Sequence, residues 1–163
     1  MIADLQTRVK IQEERGYDIV YVDQCVFSTS SIKHQGKAWG PAADPIQFKP
    51  GVGGGSFVSV MAGASLQNGL VYWEKIVGRA YKKEDVWAFL KNLKKRYGRI
   101  KFAVFLDNAS IHSSDATRSV AFDLGVLLIF NMPYRPAFNG IENMWGHAKE
   151  QYRKVMKDHK FRG

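Results

Sequence analysis

The sequence predicts an α/β domain in which a β-meander is followed by alternating helices and strands. Three observations carry this reading. Phe57–Ala64 and Gly69–Val77 are β-branched and aromatic runs joined at Gln67-Asn68-Gly69, and Asn-Gly is a strong signal for a tight hairpin. Lys82–Tyr97 repeats Val86, Phe89, Leu90 and Leu93 at helical spacing, with lysines on the other face and Gly98 at the end. Beyond it, Lys101–Leu106 and Val126–Phe130 are apolar runs of buried-strand character, separated by a helical stretch over Ser114–Leu124.

The remaining elements follow in order. Asp4–Arg15 sets Leu5, Val9 and Ile11 among polar groups before Gly16, which reads as a short helix with a glycine stop. Asp18–Asp23 is a strand ending in a carboxylate, and Cys25–Thr29 either continues it or begins another. From Ser30 to Pro50, glycines and prolines around Trp39 mark a loop. Gly51–Gly55 lacks the Gly-Lys-Ser/Thr ending of a phosphate-binding loop and reads as a turn before a strand. Asn139–Lys157 closes the chain as a long helix. A length of 163 residues with 45% apolar content is one domain, residues 1–163, with a core that needs no metal or disulfide staple.

Composition narrows the function. Cys25 is the single cysteine, which excludes an internal disulfide framework and a multi-cysteine zinc site and fits a reducing, intracellular compartment. No run approaches the ~18–20 apolar residues of a membrane span, and the first residues lack the order of a signal peptide. Lys and Arg number 24 against 15 Asp and Glu, a net charge of +9 that points to a polyanionic partner, nucleic acid first.

Two apolar strands are expected to end at Asp23 and Asp107, and a helix to open near Glu142. If the strands are neighbours in one sheet, the three carboxylates meet at its edge. Such a cluster is electrostatically costly unless divalent cations share it. Oxygen ligands with open positions suit Mg²⁺ or Mn²⁺, and a metal pair can clamp both oxygens of an in-line phosphoryl transfer. Each carboxylate also has a plainer reading. Asp107-Asn108 is a turn sequence, and Asn139-Gly140-Ile141-Glu142 is spaced like a capping box, with Asn139 as N-cap.

The surrounding words are Val22-Asp23-Gln24, Phe105-Leu106-Asp107-Asn108-Ala109-Ser110-Ile111-His112, and Met132 through Trp145, which contains Pro133-Tyr134-Arg135-Pro136 and Asn139-Gly140-Ile141-Glu142. They resemble the catalytic domain of the mariner-type transposases, in the DDE transposase and integrase superfamily, over essentially the whole chain. Thirty-four residues (108–141) lie between Asp107 and Glu142, a spacing that a large branch of that family uses. Three positions depart from the family words: Gln24 stands where Glu is common, Arg135 where Ser is, and Gly140 where Pro is. None is an expected metal ligand, but Gly140 loosens the entry to the last helix.

The resemblance implies a ribonuclease-H-like fold, with a mixed central sheet of antiparallel meander plus parallel strands flanked by helices. It implies DNA nicking and strand transfer with Asp23, Asp107 and Glu142 as catalytic metal ligands for two Mg²⁺ ions, Mn²⁺ substituting. It also implies DNA as partner, bound with little sequence preference by this domain alone, and a homodimer at the transposon ends. Helix-turn-helix modules precede the catalytic domain in full-length relatives, and the expectation is that residues 1–163 hold the catalytic domain without them. The expected location is the nucleus in a eukaryote, or the cytoplasm and nucleoid in a bacterium. The alternative function is an inactive or host-reused DNA-binding module of the same fold, and a lesser one is a nuclease acting on RNA–DNA hybrids.

Other residues have two readings each. His112 either approaches the scissile phosphate or is a hydrogen-bonded structural residue. Asn108 and Asn143 flank expected ligands, Cys25 reads as a small buried apolar group, and Trp145 as core. The basic runs Lys91–Lys101 and Lys149–Arg162 either contact phosphate or are solvated helix faces.

Overall fold

The computed structural model describes residues 2–28, 57–132 and 139–161. Helix α1 (Ile2–Glu14) leads into the meander β1 (Asp18–Ser28), β2 (Phe57–Ser65) and β3 (Gly69–Val77). Then come α2 (Lys83–Tyr97), β4 (Phe102–Leu106), α3 (Ser110–Ser113), α4 (Asp115–Asp123), β5 (Leu127–Phe130) and α5 (Glu142–Phe161). The five strands form one sheet in the order β3-β2-β1-β4-β5. β1–β2 and β2–β3 are antiparallel, and β1–β4 and β4–β5 are parallel, which is the expected mixed sheet.

Strand alternation divides the core in two. On one side Val20, Val22, Val104 and Leu106 meet Val86, Phe89, Leu90 and Leu93 of α2 and Ala121 of α4. On the other, Ile19, Ala103 and Phe105 pack with Leu5 of α1, and Cys25 and Ala62 pack under Ile141 and Trp145 at the start of α5. Gly63 sits at the irregularity in β2, where a Cβ would lie 3.0 Å from a Val20 methyl, so a larger residue there would have to displace Val20 in the α2-side core. Cys25 and Trp145 take the buried roles read from the sequence.

One open reading is decided and two elements differ from expectation. β1 is one strand of 11 residues running through Asp23, because β2 pairs with it all the way to Ser28. Ser110–Ser113 forms the short helix α3, closed by Ser113 N–H to Ala109 O at 3.0 Å, where no element was foreseen. α5 begins at Glu142 and not at Asn139. Trp39, the Gly51–Gly55 turn and Arg135 lie outside the described residues.

Candidate metal and nucleic-acid site

In the parallel pair β1–β4, Tyr21 stands opposite Phe105. Carried two residues on, that register brings Asp107, the first residue beyond β4, alongside Asp23. The expectation that both strands end at an aspartate is corrected in one respect. β4 ends there, whereas β1 continues along β2 with Asp23 paired to Ala62 in mid-strand. The aspartates meet because one strand stops and its neighbour goes on.

Glu142 enters on α5. Its backbone N–H donates to the carbonyl of Asn139 at 3.1 Å, which closes a turn ahead of the helix. The capping-box reading is replaced: the buried Asn139 side chain turns back to β1 and donates to the Val22 carbonyl at 3.4 Å. Asn139 thus ties the start of α5 to the residue before Asp23. Gly140 fits this entry, since a Cβ at that position would lie 3.3 Å from the Tyr21 ring. The departure from the family's proline matches the ring beneath it.

The two aspartates are pushed apart in acidity. Burial raises the Asp23 carboxyl to about 6; the charges of Glu142 and Asp107 add to the rise, while the Gln24 N–H and His112 oppose it. Asp107 is lowered, chiefly by its hydrogen bond to His112 and then by the Ala109 N–H, against a desolvation cost. Asp23 is therefore the strained member of the pair, and both other carboxylates act on it. Among the described residues no three His, Cys, Asp or Glu side chains converge tightly enough to enclose an ion. Glu142 is exposed and acts on Asp23 through its charge.

The donor set fits a hard divalent cation. Asp23 accepts the Gln24 N–H through Oδ1 at 2.7 Å. Asp107 accepts His112 Nδ1 at 2.5 Å and the Ala109 N–H at 3.0 Å, both through Oδ1. Among the described residues, these bonds leave the Oδ2 oxygen of each aspartate for a ligand. Carboxylate oxygens with uncompensated charge are the donors that Mg²⁺ and Mn²⁺ take.

His112 is 2% exposed, which decides between its two readings in favour of the hydrogen-bonded one. Its Nε2 lies 2.9 Å from the Gln24 amide nitrogen. Sequence reasoning missed this role of Gln24. The available signals were strand alternation, which turns Gln24 to the face opposite Asp23, and the short word after Asp107. Asn108 donates to the Asn131 carbonyl and so joins the ends of β4 and β5. Asn143 is exposed.

The family model for a DDE superfamily endonuclease matches residues 18–161, which include all three carboxylates. The chain belongs to the DDE endonuclease superfamily. No curated protein matches its sequence significantly. Among solved structures, the Mos1 transposase catalytic domain with raltegravir and Mg aligns at a TM-score of 0.64 and 17% identity, covering 97% of this chain and 76% of that one. The Mos1 mariner paired-end complex with Mn aligns at 0.62 and 17% identity, covering 95% and 52%. A simian T-cell lymphotropic virus intasome aligns at 0.58 and 15% identity, covering 86% and 41%. This DDE chain thus shares the ribonuclease-H-like fold of the Mos1 catalytic domain, and spans about half the length of the transposase in the paired-end complex.

Proposed function

We propose that this DDE domain is the catalytic domain of a mariner-type transposase, nicking DNA and transferring the resulting 3′-hydroxyl to a target strand with two Mg²⁺ ions, for which Mn²⁺ substitutes. The observation that carries the reading is that the β1–β4 register ends at Tyr21 and Phe105, two residues before Asp23 and Asp107, and that the charges of Glu142 and Asp107 both bear on Asp23. Asp23, Asp107 and Glu142 would hold the cations. When bound, these supply polarisation of the scissile phosphate and an acidified attacking water. Asp107, anchored through Oδ1, presents a fixed oxygen. Asp23 would exchange its raised proton affinity for a metal bond.

The relatives solved with Mg or Mn and on paired transposon ends support cation dependence, DNA as partner and a homodimer. Lys149 on α5 reaches Cys25, on the Asp23 face, and Lys154 is exposed one turn beyond it. The exposed Lys91, Lys95 and Arg96 of α2 lie on the other side of the sheet. Duplex phosphates would meet the α5 side first, contacts that position DNA without reading its sequence.

The test is relaxation of supercoiled plasmid with Mn²⁺, with Mg²⁺ and with chelator. Open circles should form only with cation, and Asp107→Asn and Glu142→Gln should both be folded and inactive. Parent-level nicking by either variant would remove that residue from the site. A parent that binds DNA but never nicks it would favour the non-enzymatic DNA-binding module.

A further inference from the structure

β1 and β4 make no ladder contact at the aspartates, because β4 has ended. Their relative position there depends on side chains. The Gln24 backbone N–H holds Asp23 Oδ1 at 2.7 Å. The Gln24 side chain, directed to the opposite face of the sheet, meets His112 Nε2 at 2.9 Å. The other ring nitrogen, Nδ1, meets Asp107 Oδ1 at 2.5 Å. An ionised carboxylate only accepts, so Nδ1 carries the hydrogen and Nε2 is left to accept from the Gln24 amide. Both ends of the imidazole are used, and the ring itself is buried.

We propose that Gln24 and His112 form a single bridge that sets the spacing of Asp23 and Asp107, and that both act as positioning residues for the cations these aspartates bind. The inference rests on the metal-site reading above. Hydrogen-bonded partners of carboxylate ligands typically change metal affinity about 10- to 100-fold when removed. A bridge makes a stronger demand than two separate supports: cutting it at either point should have the same consequence. Gln24 also serves both aspartates from one residue, through its backbone on one face of β1 and its side chain on the other. Its replacement by a residue without a hydrogen-bonding side chain unties His112, and with it Asp107, from β1 while leaving the backbone bond to Asp23 intact.

The experiment is titration of the chain with Mn²⁺ at fixed pH, following free Mn²⁺ by electron paramagnetic resonance. The parent is compared with Gln24→Ala, His112→Phe, the double variant and Asp107→Asn, with circular dichroism and thermal midpoints to verify folding. Each single variant should bind Mn²⁺ about 10- to 100-fold more weakly, and the double variant little more weakly than either single one. If His112→Phe does not fold, Gln24→Ala carries the test, because it leaves the buried ring in place. Parent-like Mn²⁺ affinity in Gln24→Ala overturns the bridge, and so do losses in the two single variants that multiply in the double. Either result, with Asp107→Asn still deficient, leaves the metal site standing. A parent indifferent to Mn²⁺, and unchanged by Asp107→Asn, overturns the site itself.

Discussion

β1 carries two aspartates, Asp18 and Asp23, on opposite faces and in opposite circumstances. Asp18 is buried and satisfied: the Tyr97 hydroxyl donates to its Oδ2 at 2.5 Å and the Asn68 amide at 2.8 Å. Burial, and after it the bond to Asp18, push the Tyr97 hydroxyl to a higher pKa. Asp23 is part-buried, has one backbone donor, and faces two further carboxylates. A buried carboxylate given matched donors pins a fold together. One given like charges instead is destabilising until a cation arrives, which is the electrostatic pattern of a functional site. Here Asp18 joins β1 to α2 and to the hairpin turn, while the charges of Asp107 and Glu142 bear on Asp23.

The contrast is sharpest in activity. Asp23→Asn should slow Mn²⁺-dependent plasmid nicking by about a thousandfold or more, since several kcal/mol of metal stabilisation are lost. Asp18→Asn should leave the rate per folded molecule unchanged. Equal losses in the two variants, measured on soluble protein, would erase the distinction.

Stability should reverse the ranking. Asp18→Ala strands the Tyr97 hydroxyl and the Asn68 amide away from their acceptor, at a cost of about 2–4 kcal/mol in urea unfolding. A loss near zero would mean that Asp18 is no structural pin.

The smallest effect concerns pH. In the metal-free chain Asp23 keeps its proton to about pH 6, whereas the unfolded chain releases it near 3.8, so the folded state binds more protons between these values. Stability from this residue must therefore fall as pH rises through that window and stay low above it. Asp23→Asn should make the metal-free protein more stable by about 1–2 kcal/mol at pH 7, after allowance for solvent screening. Asp107, whose pKa is lowered, has the opposite sign: its contribution is present above about 3.8 and is lost on acidification below it. Denaturant melts from about pH 2 to 8 with chelator present would show both trends. A destabilised Asp23→Asn at pH 7 would contradict the strained state of that carboxylate.

Much of this was legible from residue order. The Asn68-Gly69 hairpin, the apolar stripe of α2 and the short buried run of β4 were each readable because their signals lie within a few residues. What stayed open or failed was decided by partners. β1 continues past Asp23, the first of the two readings of Cys25–Thr29, because β2 pairs with it to Ser28. The Asn139 cap failed for the same reason: its amide found the Val22 carbonyl, 117 residues away, in place of the helix that follows it. α3 spans four residues, too short for a period to show.

The three carboxylates, their order and the helix that brings Glu142 were determined by the sequence alone, since apolar periodicity and turn chemistry act over short spans of chain. Which aspartate is satisfied and which is strained was decided by the tertiary structure. Hydrogen bonding and desolvation depend on what lies across the sheet, and the residues that settle the matter are remote. Tyr97 stands 79 residues from Asp18, and His112 stands 88 from Gln24. The two aspartates bracket one apolar run, Ile19–Val22 of β1, and only the folded neighbours make one a pin and the other a candidate ligand.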